Sequence, residues 1–228
     1  MRKTTQPFFN STTKMIKAII FDFDGVLVES TDIKTEVFRK LFSRWPDKVE
    51  DIVCHHIKNA GISRYAKFEY IYKNILKEPY IEEIGLELGR EFSSIVLEEV
   101  RKAPFVEGTK YFLENASQEL SLFIASGTPQ KELEDIVKYK GINRFFKCIY
   151  GSPTDKTSII NNILREYCLN NSQVIFVGDT ESDRIAAENT GVHFILRTTH
   201  ENHCLRSSCR YEISDLTELE GRIREIGK

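Results

Sequence analysis

The chain has 228 residues, 41% of them hydrophobic and 29% charged, with a net charge of −2. That length holds one or two domains with a sizeable core, and the charge balance gives no reason to expect nucleic acid or an anionic membrane as a partner. No apolar run approaches the roughly 20 residues that span a bilayer. The five cysteines (Cys54, Cys148, Cys168, Cys204 and Cys209) are odd in number and scattered. They argue against a disulfide framework and for a reduced, cytoplasmic protein.

Residues 1–14, MRKTTQPFFNSTTK, are polar and threonine-rich, lack the apolar core of a secretory signal, and read as a flexible leader. IKAIIFD (16–22) predicts a buried strand. From about Thr31 to Ala103 the pattern is helical throughout. Tyr65, Phe68, Tyr72 and Ile75 fall at helical spacing, with Arg64, Lys67 and Lys73 between them. Pro104 and Gly108 punctuate the return to a second rhythm. Strand-like runs at 120–126, 147–152, 173–179 and 193–198 then alternate with amphipathic segments near 109–118, 130–139, 154–168 and 181–189. Such alternation predicts a parallel sheet covered on both faces. The expected architecture is therefore α/β, with a core domain of residues 15–30 and 104–228 and a helical domain, 31–103, inserted after the first strand.

Residues two apart in a strand face the same side. Asp22 and Asp24 of FDFDGVLVES can therefore stand together at the carboxyl edge of the sheet, where open α/β sheets bind ligands. QVIFVGDTESD brings Asp179 to the end of another strand and Asp183 about one turn into the next helix. Four acidic groups at one sheet edge repel one another unless a cation intervenes, and all-oxygen ligation suits Mg²⁺. In ASGTP (125–129), Ser126 ends a strand, Gly127 admits a ligand to the backbone, Thr128 is expected to cap a helix and Pro129 to open it. A helix N-terminus beside a hydroxyl binds phosphate. In GSPTDKTSII, Ser152 and Pro153 read as N-cap and first helical residue with Asp155 completing a capping box. Lys156 then lies in a first turn, where a cation is disfavoured unless an anionic ligand is near.

Taken in order, these motifs resemble the haloacid dehalogenase superfamily of phosphohydrolases, in its phosphoglycolate-phosphatase and β-phosphoglucomutase-like group. Asp22-Phe23-Asp24-Gly25-Val26 matches the first motif, Ser126 the second, Lys156 the third, and Gly178-Asp179 with Asp183 the fourth, across residues 16 to 197. The resemblance implies a Rossmann-like core and a Mg²⁺-dependent phosphomonoesterase working through an aspartyl-phosphate. Asp22 would be the nucleophile and Asp24 the general acid–base. Mg²⁺ would be held by the Asp22 side chain, the Asp24 carbonyl and Asp179, with Asp183 close behind. Ser126, the Gly127 N–H and Lys156 would hold the phosphoryl oxygens. Glu29, where an aspartate is usual, and GSPTDK, in place of a proline-rich lysine motif, depart from the pattern.

By the same resemblance, segment 31–103 is a helical cap over the site. Arg64, Lys34 and Lys67 are its candidate specificity residues, with Arg64 following the glycine-containing turn Asn59-Ala60-Gly61-Ile62-Ser63. The expected partner is a small phosphorylated metabolite, such as a sugar phosphate or phosphoglycolate, bound by a monomer or homodimer. A phosphomutase shares every core residue and is the alternative. A dehalogenase lacks the second aspartate, a phosphonate hydrolase would need a cap lysine such as Lys58, and a non-catalytic binding relative needs no nucleophile. His200, His203, Cys204 and Cys209 fit no standard zinc spacing, and the adjacent His55 and His56 receive no role.

Overall fold

The computed structural model describes residues 16–59 and 62–227. The leader and the middle of the 59–64 turn, Ala60 and Gly61, lie outside them. Six parallel strands form one sheet: β1 (Ala18–Phe21), β2 (Ser121–Pro129), β3 (Cys148–Ser152), β4 (Val174–Gly178), β5 (His193–Arg197) and the two-residue β6 (Glu212–Ile213). Their order is β3-β2-β1-β4-β5-β6. The order reverses direction beside β1, so β1 and β4 flank the switch point where such sheets open a crevice.

Alternation along the strands splits the core into two faces. Ala18 and Ile20 of β1, Phe123 of β2 and Phe176 of β4 pack against Ile159, Ile160 and Ile163 of α7 (Lys156–Glu166) and against Ala186 and Ala187 of α8 (Glu181–Thr190). Ile19, Phe21, Ile124 and Val177 point the other way. They meet α5 (Thr109–Ala116), α6 (Gln130–Tyr139) and α9 (Leu219–Ile226). Strands buried on both faces explain the nearly unbroken apolar runs in the sequence.

Between β1 and β2 the chain forms α1 (Thr31–Leu41), α2 (Val49–Lys58), α3 (Arg64–Tyr70) and α4 (Glu82–Lys102), with α3 continuing into a π-helical stretch, Ile71–Leu76. Phe38 of α1, Phe68 of α3 and Phe92 of α4 form their common centre, with ring centroids 5.2–6.4 Å apart. Departure and return of this insertion are stitched together, because Glu29 N–H donates to the Pro104 carbonyl and Val106 N–H to that of Leu27. Among the described residues, no helix is long and apolar enough to cross a membrane.

Two expectations about helix starts need correction. Pro129 is the last residue of β2 and α6 begins at Gln130, so Thr128 caps nothing. Its hydroxyl instead donates to Asp24, 2.8 Å away. Asp155, not Ser152, is the N-cap of α7: its carboxylate accepts the Ser158 N–H at 2.9 Å and Lys156 is the first helical residue.

Candidate active site

The site begins where β1 ends. Asp22 follows the last residue of the strand and stays in register through its N–H, which donates to the Val177 carbonyl of β4. Its side chain is 4% exposed. Oδ1 accepts the Phe23 N–H at 2.6 Å and Oδ2 accepts from Lys156 Nζ at 2.8 Å. Burial, reinforced by the charges of Asp183 and Asp24 and opposed by Lys156, pushes the Asp22 carboxyl up to about 7.

After Asp22 the chain turns sharply at Gly25, whose φ of +74° suits glycine. Space demands glycine as well, since a Cβ there would sit 2.1 Å from Asp179 Oδ2. The turn presents Asp24 to a different set of partners. Oδ1 accepts from the Ser30 hydroxyl at 2.6 Å, while Oδ2 accepts from Thr128 and from Lys34 Nζ. Lys34 Nζ donates also to Thr128 Oγ1 at 2.9 Å. Burial alone would raise the Asp24 carboxyl, but Lys34 and these hydrogen bonds outweigh it and hold Asp24 below the usual carboxylate range.

Asp179 follows the last residue of β4 and Asp183 lies in the first turn of α8. Thr180 caps this helix, and Asp183 completes the capping box by accepting the Thr180 N–H at 3.0 Å and its hydroxyl at 2.5 Å. Gly178 makes room, because a Cβ on it would meet the Asp183 Cβ at 2.3 Å. The other oxygen of Asp183 accepts from Lys156 at 2.5 Å. Burial opposes a charge on Lys156, yet Asp183 and Asp22 prevail and raise its basicity. Asp179 differs from its neighbours, since its buried Oδ1 has no hydrogen-bond partner. Burial, then Asp22 and Asp183, push the Asp179 carboxyl well above its ordinary range. One carboxylate oxygen each from Asp22, Asp179 and Asp183 lie within 4.8 Å of one another.

Asp22, Asp24 and Asp179 floor a cavity of about 80 Å³. Ser126, Gly127 and Thr128 of β2 form one wall, and Lys34, His56, Arg64 and Lys67 from the helical insertion form the roof. At roughly 10–15 Å³ per water, the enclosed space holds about half a dozen waters or a small molecule.

A family model for haloacid dehalogenase-like hydrolases matches residues 19–197. The chain belongs to that family. It is 27% identical over 201 residues to a phosphoglycolate phosphatase of Vibrio cholerae, covering 83% of this chain and 88% of the relative. It is 20% identical over 193 residues to a phosphorylated carbohydrates phosphatase of Thermotoga maritima, covering 81% and 86%. A haloacid dehalogenase-like hydrolase from Streptococcus pneumoniae has the same fold, with a TM-score of 0.70 at 22% identity over 92% of this chain and 99% of that one.

The expected site residues Asp22, Asp24, Ser126, Gly127, Lys156, Asp179 and Asp183 gather at one sheet edge. The three insertion cations reach it too, in different ways. Lys34 is bound to Asp24. Arg64 is buried over the Phe92 ring and forks onto Glu132 of α6 at 2.7 and 3.3 Å, with Ser93 at 2.7 Å. Lys67 donates to His56, at Nδ1 and at the carbonyl, and lies 5.7 Å from the centre of the Phe38 ring. Lys58 is exposed. Sequence reasoning missed Ser30, His56, Glu132 and Thr128 as an Asp24 partner, and also Asn202, which donates to the Asp179 carbonyl at 2.8 Å. Each acts through a partner on another element or through a turn. Glu29, the departure from pattern, pairs with Arg197.

Proposed function

We propose that this haloacid dehalogenase-like hydrolase is a Mg²⁺-dependent phosphomonoesterase acting on a small phosphorylated metabolite through an aspartyl-phosphate. The observation that carries the reading is the opposite treatment of two carboxylates two residues apart. Asp22 faces Lys156 and the crowded acids, whereas Asp24 is held by Ser30, Thr128 and Lys34. Asp22 Oδ2, once ionised, would attack phosphorus, and the proton that Asp22 gives up would be carried by Asp24 and passed to the leaving oxygen. In the second half Asp24 would remove a proton from water, which attacks the aspartyl-phosphate and restores the Asp22 carboxylate. The Ser126 hydroxyl, the Gly127 N–H and Lys156 would hold the transferring oxygens. The names of the Vibrio and Thermotoga relatives, a phosphoglycolate phosphatase and a phosphorylated carbohydrates phosphatase, and the small cavity support a small phosphomonoester.

A divalent cation fits the residues present. Three buried carboxylates converge, and Asp179 Oδ1 is buried without a partner, a costly arrangement that oxygen-ligated Mg²⁺ relieves. Asp22 and Asp179 would hold it, with Asp183 beside them and Asp24 contributing through its main chain, since its side chain is committed elsewhere. Once bound, the ion supplies positive charge against the phosphoryl oxygens.

Helices α1–α4, on two adjoining linkers at Glu29 and Pro104, would act as a cap domain (31–103) on the core (15–30 and 104–228) that excludes water during transfer. The test is phosphate release from phosphorylated sugars, sugar acids and nucleotides, with Mg²⁺ or EDTA. We expect Mg²⁺-dependent release from small substrates, abolished in Asp22→Asn and reduced roughly 10²–10⁴-fold in Asp24→Asn, with both variants folded. Full turnover by Asp22→Asn would overturn the nucleophile assignment.

A further inference from the structure

The roof of the cavity carries three cations, and two are already neutralised. Lys34 is ion-paired with Asp24. Arg64, with its side chain 6% exposed, is ion-paired with Glu132, and Ser93 braces that carboxylate by donating to it at 2.6 Å. Lys67 is different. It is 4% exposed, lines the cavity, and among the described residues no carboxylate lies within salt-bridge distance of its Nζ. What it has is His56, whose Nδ1 is 3.2 Å away and whose carbonyl is 3.3 Å away. An ammonium donating to Nδ1 requires a neutral imidazole with its proton on Nε2, so His56 supplies no counter-charge. Its ring is fixed by stacking on Phe38 at 4.0 Å. A buried cation without a counter-ion is costly, and here it is aimed into a ligand-sized space.

We infer that Lys67 receives a second anionic group on the substrate, a carboxylate or equivalent on the leaving-group side. In this arrangement Arg64 serves as a structural clamp between α3 and α6, and not as that receptor. The inference deepens the phosphomonoesterase reading and rests on it. It assigns the preferred substrates to small phosphomonoesters whose leaving alcohol bears a negative charge. The groups around Lys67 agree with this. Lys34 from α1, Lys156 from α7 and Arg64 on its own helix repel its charge, and Asp24 favours it. Burial, followed by these cations, brings the Lys67 amine down to about 7. An anion placed against it would restore the charged form.

The test compares 2-phosphoglycolate with its uncharged analogue 2-hydroxyethyl phosphate, in wild type, Lys67→Gln and Lys67→Arg. Glutamine keeps a donor toward His56 while removing the charge. Wild type should favour the carboxylate by about 10–100-fold in kcat/KM, the range for a hydrogen bond to a charged group. Lys67→Gln should lose that preference through KM, with kcat/KM falling more for 2-phosphoglycolate than for 2-hydroxyethyl phosphate, and Lys67→Arg should retain part of it. The preference should also fall as pH rises past about 7, where free Lys67 loses its proton. Phosphate ionisation and the acidic floor are common to both substrates and cancel in the ratio. No preference in wild type, or an equal loss on both substrates in Lys67→Gln, overturns the assignment.

A second readout separates this inference from the reading beneath it. The Asp22→Asn protein is melted with 2-phosphoglycolate, and again with Lys67→Gln added. If wild type hydrolyses neither ester, but 2-phosphoglycolate raises Tm only while Lys67 is present, the phosphatase reading fails and the anion site stands. If there is neither hydrolysis nor a Tm shift, both fall.

Discussion

Metal removal should cost this protein stability in a pH-dependent way, because the proposed ligands resist ionisation. Asp22 has a folded pKa of about 7 against an ordinary 3.8. Between those values the fold holds a proton that the unfolded chain has released. Without metal, Asp22 therefore makes stability fall as pH rises from about 4 to 7. Mg²⁺ needs the ionised form, so its binding must displace that proton at low pH. Two units below the pKa, at pH 5, this weakens binding about 100-fold, or roughly 2.7 kcal/mol. For a chain of this size each kcal/mol shifts Tm by about 2–4 °C, so the stabilisation by Mg²⁺ should be about 5–10 °C larger at pH 7–8 than at pH 5. Asp179, raised in the same direction, steepens the trend. His56 and Lys67 titrate with opposite sign. Their folded values are depressed, so they make stability rise with pH, His56 up to about 6.5 and Lys67 from about 7 to 10.5. Raw melting curves mix these effects, and the quantity to read is the difference between melts in saturating Mg²⁺ and in EDTA at each pH. Asp179→Asn should abolish that difference. A Mg²⁺ effect independent of pH between 5 and 8 would refute the reasoning about the carboxylate cluster.

Two further variants probe the frame of the site. Gly25→Ala forces a Cβ onto a residue with φ of +74° and within 2.1 Å of Asp179 Oδ2. It should lower Mg²⁺ affinity more than tenfold, measured as the concentration giving half-maximal thermal stabilisation, and an unchanged midpoint would show that the turn can relax. Glu132→Gln leaves Arg64 buried with its fork uncompensated. Breaking a buried pair costs roughly 3–5 kcal/mol, and because Glu132 is 23% exposed we expect about 2–3 kcal/mol in urea denaturation. A loss under about 0.5 kcal/mol would mean the clamp contributes nothing measurable.

Much of this was legible because parallel sheets impose strong patterns. Strands covered on both faces read as apolar runs, and β1 to β5 stand within a residue or two of the expected ranges except at the far end of β2, which runs on to Pro129. The two-residue β6 has no periodicity to detect and was missed. At strand ends the chemistry was legible wherever it depended on spacing along the chain, as for Asp22 with Asp24 and Asp179 with Asp183. It was illegible where it depended on what the fold brings opposite. Thr128 has the composition of a helix cap, and nothing local reveals that Asp24, 104 residues away, competes successfully for its hydroxyl. Arg64 was expected to face the substrate; it lines the cavity, and its pairing with Glu132, 68 residues further on, could not be read from local sequence. His55 and His56 were indistinguishable in sequence. Helical geometry turns one onto Tyr70 and the other onto Phe38 at the cavity roof, and only packing decides which faces inward.

The proposed division of labour between Asp22 and Asp24 rests on the same long-range partners. Both are aspartates of one short turn with the same ordinary pKa, and burial raises both. Their different behaviour therefore comes from neighbours supplied by other elements. Asp24 receives a hydroxyl from its own turn, Ser30, another from β2, Thr128, and an ammonium from the insertion, Lys34. Asp22 shares its ammonium, Lys156, with Asp183, and sits beside further negative charge. The insertion is thus a chemical part of the site as well as its roof. Lys34 lies on α1, immediately beyond the departing linker, so any motion that lifts α1 from the sheet would withdraw the ammonium from Asp24 and raise its proton affinity. A proton that Asp24 takes up while the insertion is lifted would be released more readily once Lys34 returns, when the cavity is shut and little water competes for the phosphoryl group.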